Sequence, residues 1–173
     1  MPKGKHSVVE FRDGIAVKKF KRELKLNFWK EAYFLTILQP FKFVPKLYKV
    51  CPEKLEVYME KLDGIPIGRY IENNFDESVL EALKICRILD RLGINKEEMT
   101  HPDKHIIIGE RVWFIDFERG VVREKPANVT QFSIYLAKKL GKDDWESLKS
   151  LLRNYKRRFD EESFRKILEF FTR

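Results

Sequence analysis

Cysteine is scarce in this chain, glycine is sparse, and long hydrophobic runs are missing. Cys51 and Cys86 are the only two cysteines among 173 residues. They stand far apart with no ligand-type spacing around them. That excludes a cysteine-rich metal module; the two could pair in principle, but buried, reduced thiols are the expectation. No stretch of about 18 apolar residues occurs, so a membrane-spanning helix is not expected. Residues 1–5 are short and polar, without the apolar core of a secretory signal. A cytoplasmic location is the expectation. Internal repeats, low-complexity tracts and Pro/Ser-rich linkers are also missing, which excludes solenoids and flexible arrays.

Apolar residues make up 43% of the chain and aromatics 13%, enough to exclude disorder and to fill a real core. Charged residues reach 36%, mostly Lys, Arg and Glu, a bias also found on thermophile surfaces. The net charge of +8 favours polyanions as weak, non-specific partners. The basic residues are scattered, however. Local clusters at Lys18, Lys19, Lys21, Arg22 and Lys25, and at Arg153, Lys156, Arg157 and Arg158, have the size of ordinary solvated faces.

The pattern changes midway. His6–Phe11 and Ile15–Phe20 flank Asp13-Gly14, the strongest short hairpin signal. Phe28, Ala32, Leu35 and Leu38 keep a helical spacing that Pro40 ends. Lys46–Val50 and Leu55–Leu62 predict two more strands about Pro52-Glu53, and Asp63-Gly64 with Pro66 breaks the pattern. Asp76 caps a helix whose apolar face is Val79, Leu83, Cys86 and Leu89, with Gly93 as its stop. Ile106–Ile108 and Val112–Ile115 around Gly109-Glu110 predict a second hairpin. Helices follow Pro126, the last capped by Asp160 and lined by Phe164, Ile167, Leu168 and Phe171. The expected class is α+β, in two segments: 1–62, a small antiparallel β lobe with one helix, and 63–173, mainly helical.

Three short constellations fall along this order. Ala16-Val17-Lys18 ends a strand and presents a cation on a rigid element, with Lys19 facing the other way. Glu31 lies on the following helix, in Lys30-Glu31-Ala32. Ile115-Asp116-Phe117-Glu118 ends the second hairpin with a hard oxygen ligand of the kind Mg²⁺ prefers.

In their order these motifs resemble the protein-kinase-like superfamily, especially small RIO-like and predicted archaeal Ser/Thr kinases, over most of residues 1–140. The resemblance implies a two-lobed fold with a reduced helical C-terminal lobe. It also implies Mg²⁺ and ATP as cofactors and transfer of the γ-phosphoryl group to a hydroxyl acceptor, proteins included. Lys18 would hold phosphates, Glu31 would orient Lys18, and Asp116 would bind the metal.

Gly4-Lys5-His6-Ser7-Val8-Val9 stands where the glycine-rich loop belongs, with a single glycine, so Gly4 and Ser7 are the implied phosphate contacts. Tyr58–Leu62 resembles the inter-lobe hinge, which brings Glu60 into the nucleotide set with Pro45 and Met59 beside it. The catalytic loop reads in two registers. His101-Pro102-Asp103 forms an H-x-D with Asp103 serving the acceptor proton. Counting back from the hairpin instead puts His105 at the metal-binding asparagine position and Thr100 at the aspartate. Glu118 replaces the glycine of the metal motif, and 120–128 leaves no room for a long activation loop. Two rival functions stand beside the kinase: a nucleotide-binding pseudokinase that regulates a partner, and a basic RNA-associated domain without nucleotide chemistry.

Overall fold

A computed structural model describes Ser7–Arg173. The chain is α+β, with antiparallel sheets and six α-helices among the described residues. Two compact units form. The first runs to Pro66 and also takes in His105–Gly120; the second comprises Ile67–Lys104 and Val121–Arg173.

In the first unit, β1 (Ser7–Arg12) and β2 (Ile15–Phe20) are joined by the expected two-residue turn. Asp13 at φ 48° and Gly14 at φ 78° both have positive φ, as a type I′ hairpin requires. A 3₁₀ turn, Arg22–Leu24, leads into α1 (Lys25–Leu38), and a second, Gln39–Phe41, carries Pro40. The helix therefore stops at Leu38, two residues before the proline that signals its end. Next come β3 (Leu47–Cys51) and β4 (Glu56–Glu60). The strand order is β1-β2-β4-β3, so β2, the strand of Lys18, lies between two neighbours. α1 packs on β2, β3 and β4, and Phe28, Leu35 and Leu38 are fully buried with Val57. Phe20 meets Phe28 edge-on at 5.9 Å.

A second small sheet in this unit orders β5 (Gly64–Pro66), β7 (Ile106–Gly109) and β8 (Val112–Phe114). The hairpin differs slightly from its sequence pattern. Gly109 belongs to the strand, and Glu110-Arg111 makes the turn. β8 ends at Phe114 rather than Ile115, although the Ile115 N–H still donates to the His105 carbonyl at 3.0 Å. Residues 105–120 thus join the N-terminal strands in one unit. Nothing in their own pattern announces this, because β5 pairs with β7 across about forty residues of chain.

The second unit contains α2 (Ile67–Tyr70), α3 (Glu77–Arg91), a two-residue ladder of β6 (Ile94–Asn95) with β9 (Val121–Val122), and α4 (Asn128–Lys139), α5 (Trp145–Arg158) and α6 (Glu161–Thr172). Asp76 caps α3 by accepting from the Ser78 N–H, and Val79, Leu83, Cys86 and Leu89 are fully buried as their spacing predicts. Asp160 caps α6 in the same way through Ser163, and Phe164, Ile167 and Phe171 are buried, with Leu168 half-buried. Both cysteines are free; Cys86 is buried and Cys51 half-buried.

One polar knot ties these helices. The carboxylate of Asp90, at the end of α3, accepts from Asn128 N and Nδ2, Val129 N and the Tyr155 hydroxyl, at 2.8–3.3 Å. It therefore satisfies N–H groups that α4 cannot satisfy itself. Arg87 Nη1 donates in turn to the Tyr155 hydroxyl at 3.0 Å. Burial raises the Asp90 carboxyl above its ordinary range despite these donors.

Candidate functional site

Lys18 is where the first unit becomes chemically unusual. Period-two geometry turns its side chain inward and Lys19 outward. Lys19 pairs at the surface with Glu10 and Glu56, whereas the Lys18 side chain is only 5% exposed. A buried ammonium needs partners. Lys18 has three: Asp116 Oδ1 at 2.9 Å, Glu118 Oε2 at 3.1 Å and Glu31 Oε1 at 3.4 Å. The Phe20 ring lies 5.0 Å from its Nζ.

Each carboxylate is positioned by a different element. Glu31 faces inward from α1, among Phe28, Ala32, Phe34 and Leu35, and is 1% exposed. Asp116 follows β8 in a left-handed conformation, φ 67°, which Asp tolerates better than most residues. Phe117 is completely buried beside Phe34 of α1, the ring centroids 6.2 Å apart, and anchors this turn. A Cβ on Gly120 would come within 2.7 Å of the Phe34 ring and 3.1 Å of the Phe117 carbonyl, so glycine allows the chain to close over that ring. Asn27 of α1 donates to the Glu118 carbonyl at 3.4 Å.

Three carboxylates around one ammonium leave a surplus of two negative charges when all are ionised. Burial pushes the Lys18 ammonium toward losing its proton, but Glu31, Asp116 and Glu118 outweigh that and hold its pKa above the ordinary value. Glu31 and Glu118 are almost wholly buried, while the Asp116 side chain is 32% exposed. Asp116 is thus the member of the cluster most open to a ligand. His105 Nε2 stands 3.8 Å from its second oxygen.

Lys18, Glu31, Asp116 and His105 are brought together; Glu118, for which the sequence suggested no role, joins them. A signal for it existed: an acidic residue two positions beyond Asp116 in an otherwise apolar run. The other residues expected to contact nucleotide fare differently. Gly4 lies outside the described residues. Ser7 opens β1, paired with Phe20. Glu60 ends β4, where its N–H donates to Lys46 O at 2.8 Å and its carboxylate accepts from Lys46 N at 3.1 Å. The next amide, Lys61 N–H, donates to Gly14 O at 3.2 Å. Both amides are already hydrogen-bonded within the first unit.

Asp103 belongs to the second unit and is firmly held there. Its Oδ1 accepts from Lys139 Nζ at 2.9 Å and the Tyr135 hydroxyl at 3.1 Å. Its backbone carbonyl accepts from Gly68 N–H at 3.1 Å. Partial burial pulls the Asp103 carboxyl up, but Lys139 and Tyr135 outweigh it and set it below its ordinary value. His101, by contrast, is exposed, with its N–H donating to Glu98 O at 3.2 Å.

No protein-family model matches this chain, and no curated protein matches it. Among the described residues, no helix is long and apolar enough to cross a membrane.

Proposed function

We propose that the chain is a minimal phosphotransferase of the protein-kinase-like type, moving the γ-phosphoryl of Mg-ATP to a hydroxyl acceptor. One observation carries this reading. Lys18 and Asp116, separated by 98 positions, meet at 2.9 Å in a buried cluster with Glu31 alongside. A cation on a central strand, a helix glutamate against it and a strand-end aspartate form a set suited to holding phosphates next to a divalent ion.

The donor set fits that ion. Mg²⁺ takes carboxylate oxygens, and the cluster holds more negative charge than Lys18 neutralises. Asp116, the more exposed carboxylate, would hold the metal, with His105 beside it. When bound, the metal supplies charge neutralisation for the phosphates. Lys18 would bind phosphate oxygens, and Glu31 would keep its ammonium directed and protonated. Asp103, kept anionic by Lys139 and Tyr135, would orient the acceptor hydroxyl and take its proton. A low basicity suits that positioning role better than early proton abstraction.

The test pairs thermal unfolding with transfer of labelled γ-phosphate. At about a hundredfold excess over Kd, Mg-ATP should stabilise the chain by about 2.7 kcal/mol, or roughly 5–10 °C. ATP in chelator should stabilise it much less, and labelled phosphate should appear on a hydroxyl acceptor. Asp116→Ala should abolish both effects. Unchanged Mg-ATP stabilisation in Asp116→Ala would sink the proposal. Stabilisation without transfer would reduce it to the nucleotide-binding, regulatory reading.

A further inference from the structure

α1 is apolar on both sides. Its inner side buries Phe28, Ala32, Phe34, Leu35 and Leu38. On the outer side Leu26 is 68% exposed, Trp29 45%, Tyr33 54% and Ile37 38%, and Phe41 follows in the 3₁₀ turn at 42%. The helical members step by three, four and four residues. At 3.6 residues per turn they occupy an arc of roughly 80°, a narrow seam of the kind that packs against another helix. Scattered exposed apolar residues are ordinary; four aligned on one arc are not.

The borders of the seam carry one sign of charge. Lys25 and Lys30 fall on opposite sides of the arc, exposed Lys21 and Arg22 precede it, and exposed Lys42 follows it. Across 21–42 the only acidic residues are Glu23 and the inward Glu31. Two copies joined seam to seam would bring lysines against lysines. A helix with acidic flanks would instead meet opposite charge along both edges.

We propose that the outer face of α1 is a docking surface for an amphipathic helix of a partner protein, apolar on one stripe and flanked by Asp and Glu. The aliphatic Leu26 and Ile37 favour this occupant over single-stranded nucleic acid. They offer no ring for a base to stack on, and the seam follows helical rather than nucleotide spacing. This surface uses the face of α1 opposite Glu31 and none of the Lys18 cluster's side chains.

The test uses the whole chain and designed probes. One peptide of about 21 residues carries Leu at heptad positions a and d and Glu at e and g; a second carries Lys at e and g. An oligouridylate serves as competitor. The acidic peptide should bind at least about tenfold more tightly than the basic one at low salt, and added salt should weaken it. Tyr33→Glu and, separately, Leu26→Glu should each weaken it about tenfold or more while leaving the unfolding temperature nearly unchanged. Equal binding of the two peptides, or no binding by either, overturns the proposal. So does displacement of the acidic peptide by oligouridylate with the same dependence on Tyr33. A dimer in sedimentation that Tyr33→Glu dissociates overturns it in favour of self-association.

Discussion

Lys18→Met tests the buried cluster most directly, because it removes one charge and keeps most of the side-chain volume. Glu31 and Glu118 then stay almost fully buried without their counter-ion. Breaking a buried pair by removing one partner costs about 3–5 kcal/mol. Asp116 adds little, since a third of its side chain reaches solvent. At roughly 2–4 °C per kcal/mol for a chain of this size, unfolding should come about 6–20 °C earlier at pH 7.

The pH dependence follows from the same charges. Without Lys18 the buried carboxylates carry an uncompensated charge that acid removes by protonation. The deficit of the variant should be small near pH 4 and grow toward neutrality. In the parent Lys18 gives a change in the same direction, but at alkaline pH. Its pKa is raised on folding, so its contribution is fully present below the ordinary value of 10.5 and is lost as pH climbs through the folded value. Lys18→Met should lack that alkaline loss, and adding Glu118→Gln should recover part of the deficit. Urea melts from pH 4 to 11 measure the deficit and the onset of the alkaline loss. A deficit at pH 7 below about 1 kcal/mol, or one that does not vary with pH, would refute the uncompensated-charge reasoning.

Asp90→Ala orphans two backbone N–H groups of α4 and the Tyr155 hydroxyl, and should cost about 3 kcal/mol by denaturant unfolding. A cost below about 1 kcal/mol would show that the polar knot is dispensable. Gly120→Ala should destabilise by about 1–3 kcal/mol through the Phe34 ring. Gly14→Ala meets open space and should cost only about 1 kcal/mol for its positive φ. Reversal of that order in thermal melts would contradict the close packing at Phe117. Lys139→Met should raise the Asp103 titration midpoint, read by carboxyl NMR, without changing overall stability much; an unmoved midpoint would show that Lys139 does not hold Asp103 anionic.

Much of the local structure was legible because it follows from local rules. Asp13-Gly14 specifies its turn through backbone conformation, Asp76 and Asp160 cap helices by accepting nearby N–H groups, and the faces of α3 and α6 follow from periodicity. Boundaries that depend on pairing were less legible: Gly109 has the identity of a turn residue, yet β5 holds it in the ladder. Glu118 had acidic identity but no short-range pattern to say what it faces, and the outer seam of α1 was masked because apolar residues surround that helix.

By itself, the sequence determined the α+β class, the first hairpin, the caps and the inward direction of Lys18, since each depends on a few neighbouring residues. Tertiary structure alone decided that 105–120 joins the N-terminal strands, that Glu118 adds a third carboxylate to Lys18, and that Trp29, Tyr33 and Ile37 face solvent. Those outcomes depend on which distant segments share a sheet or core, and a one-dimensional spacing does not encode the partner.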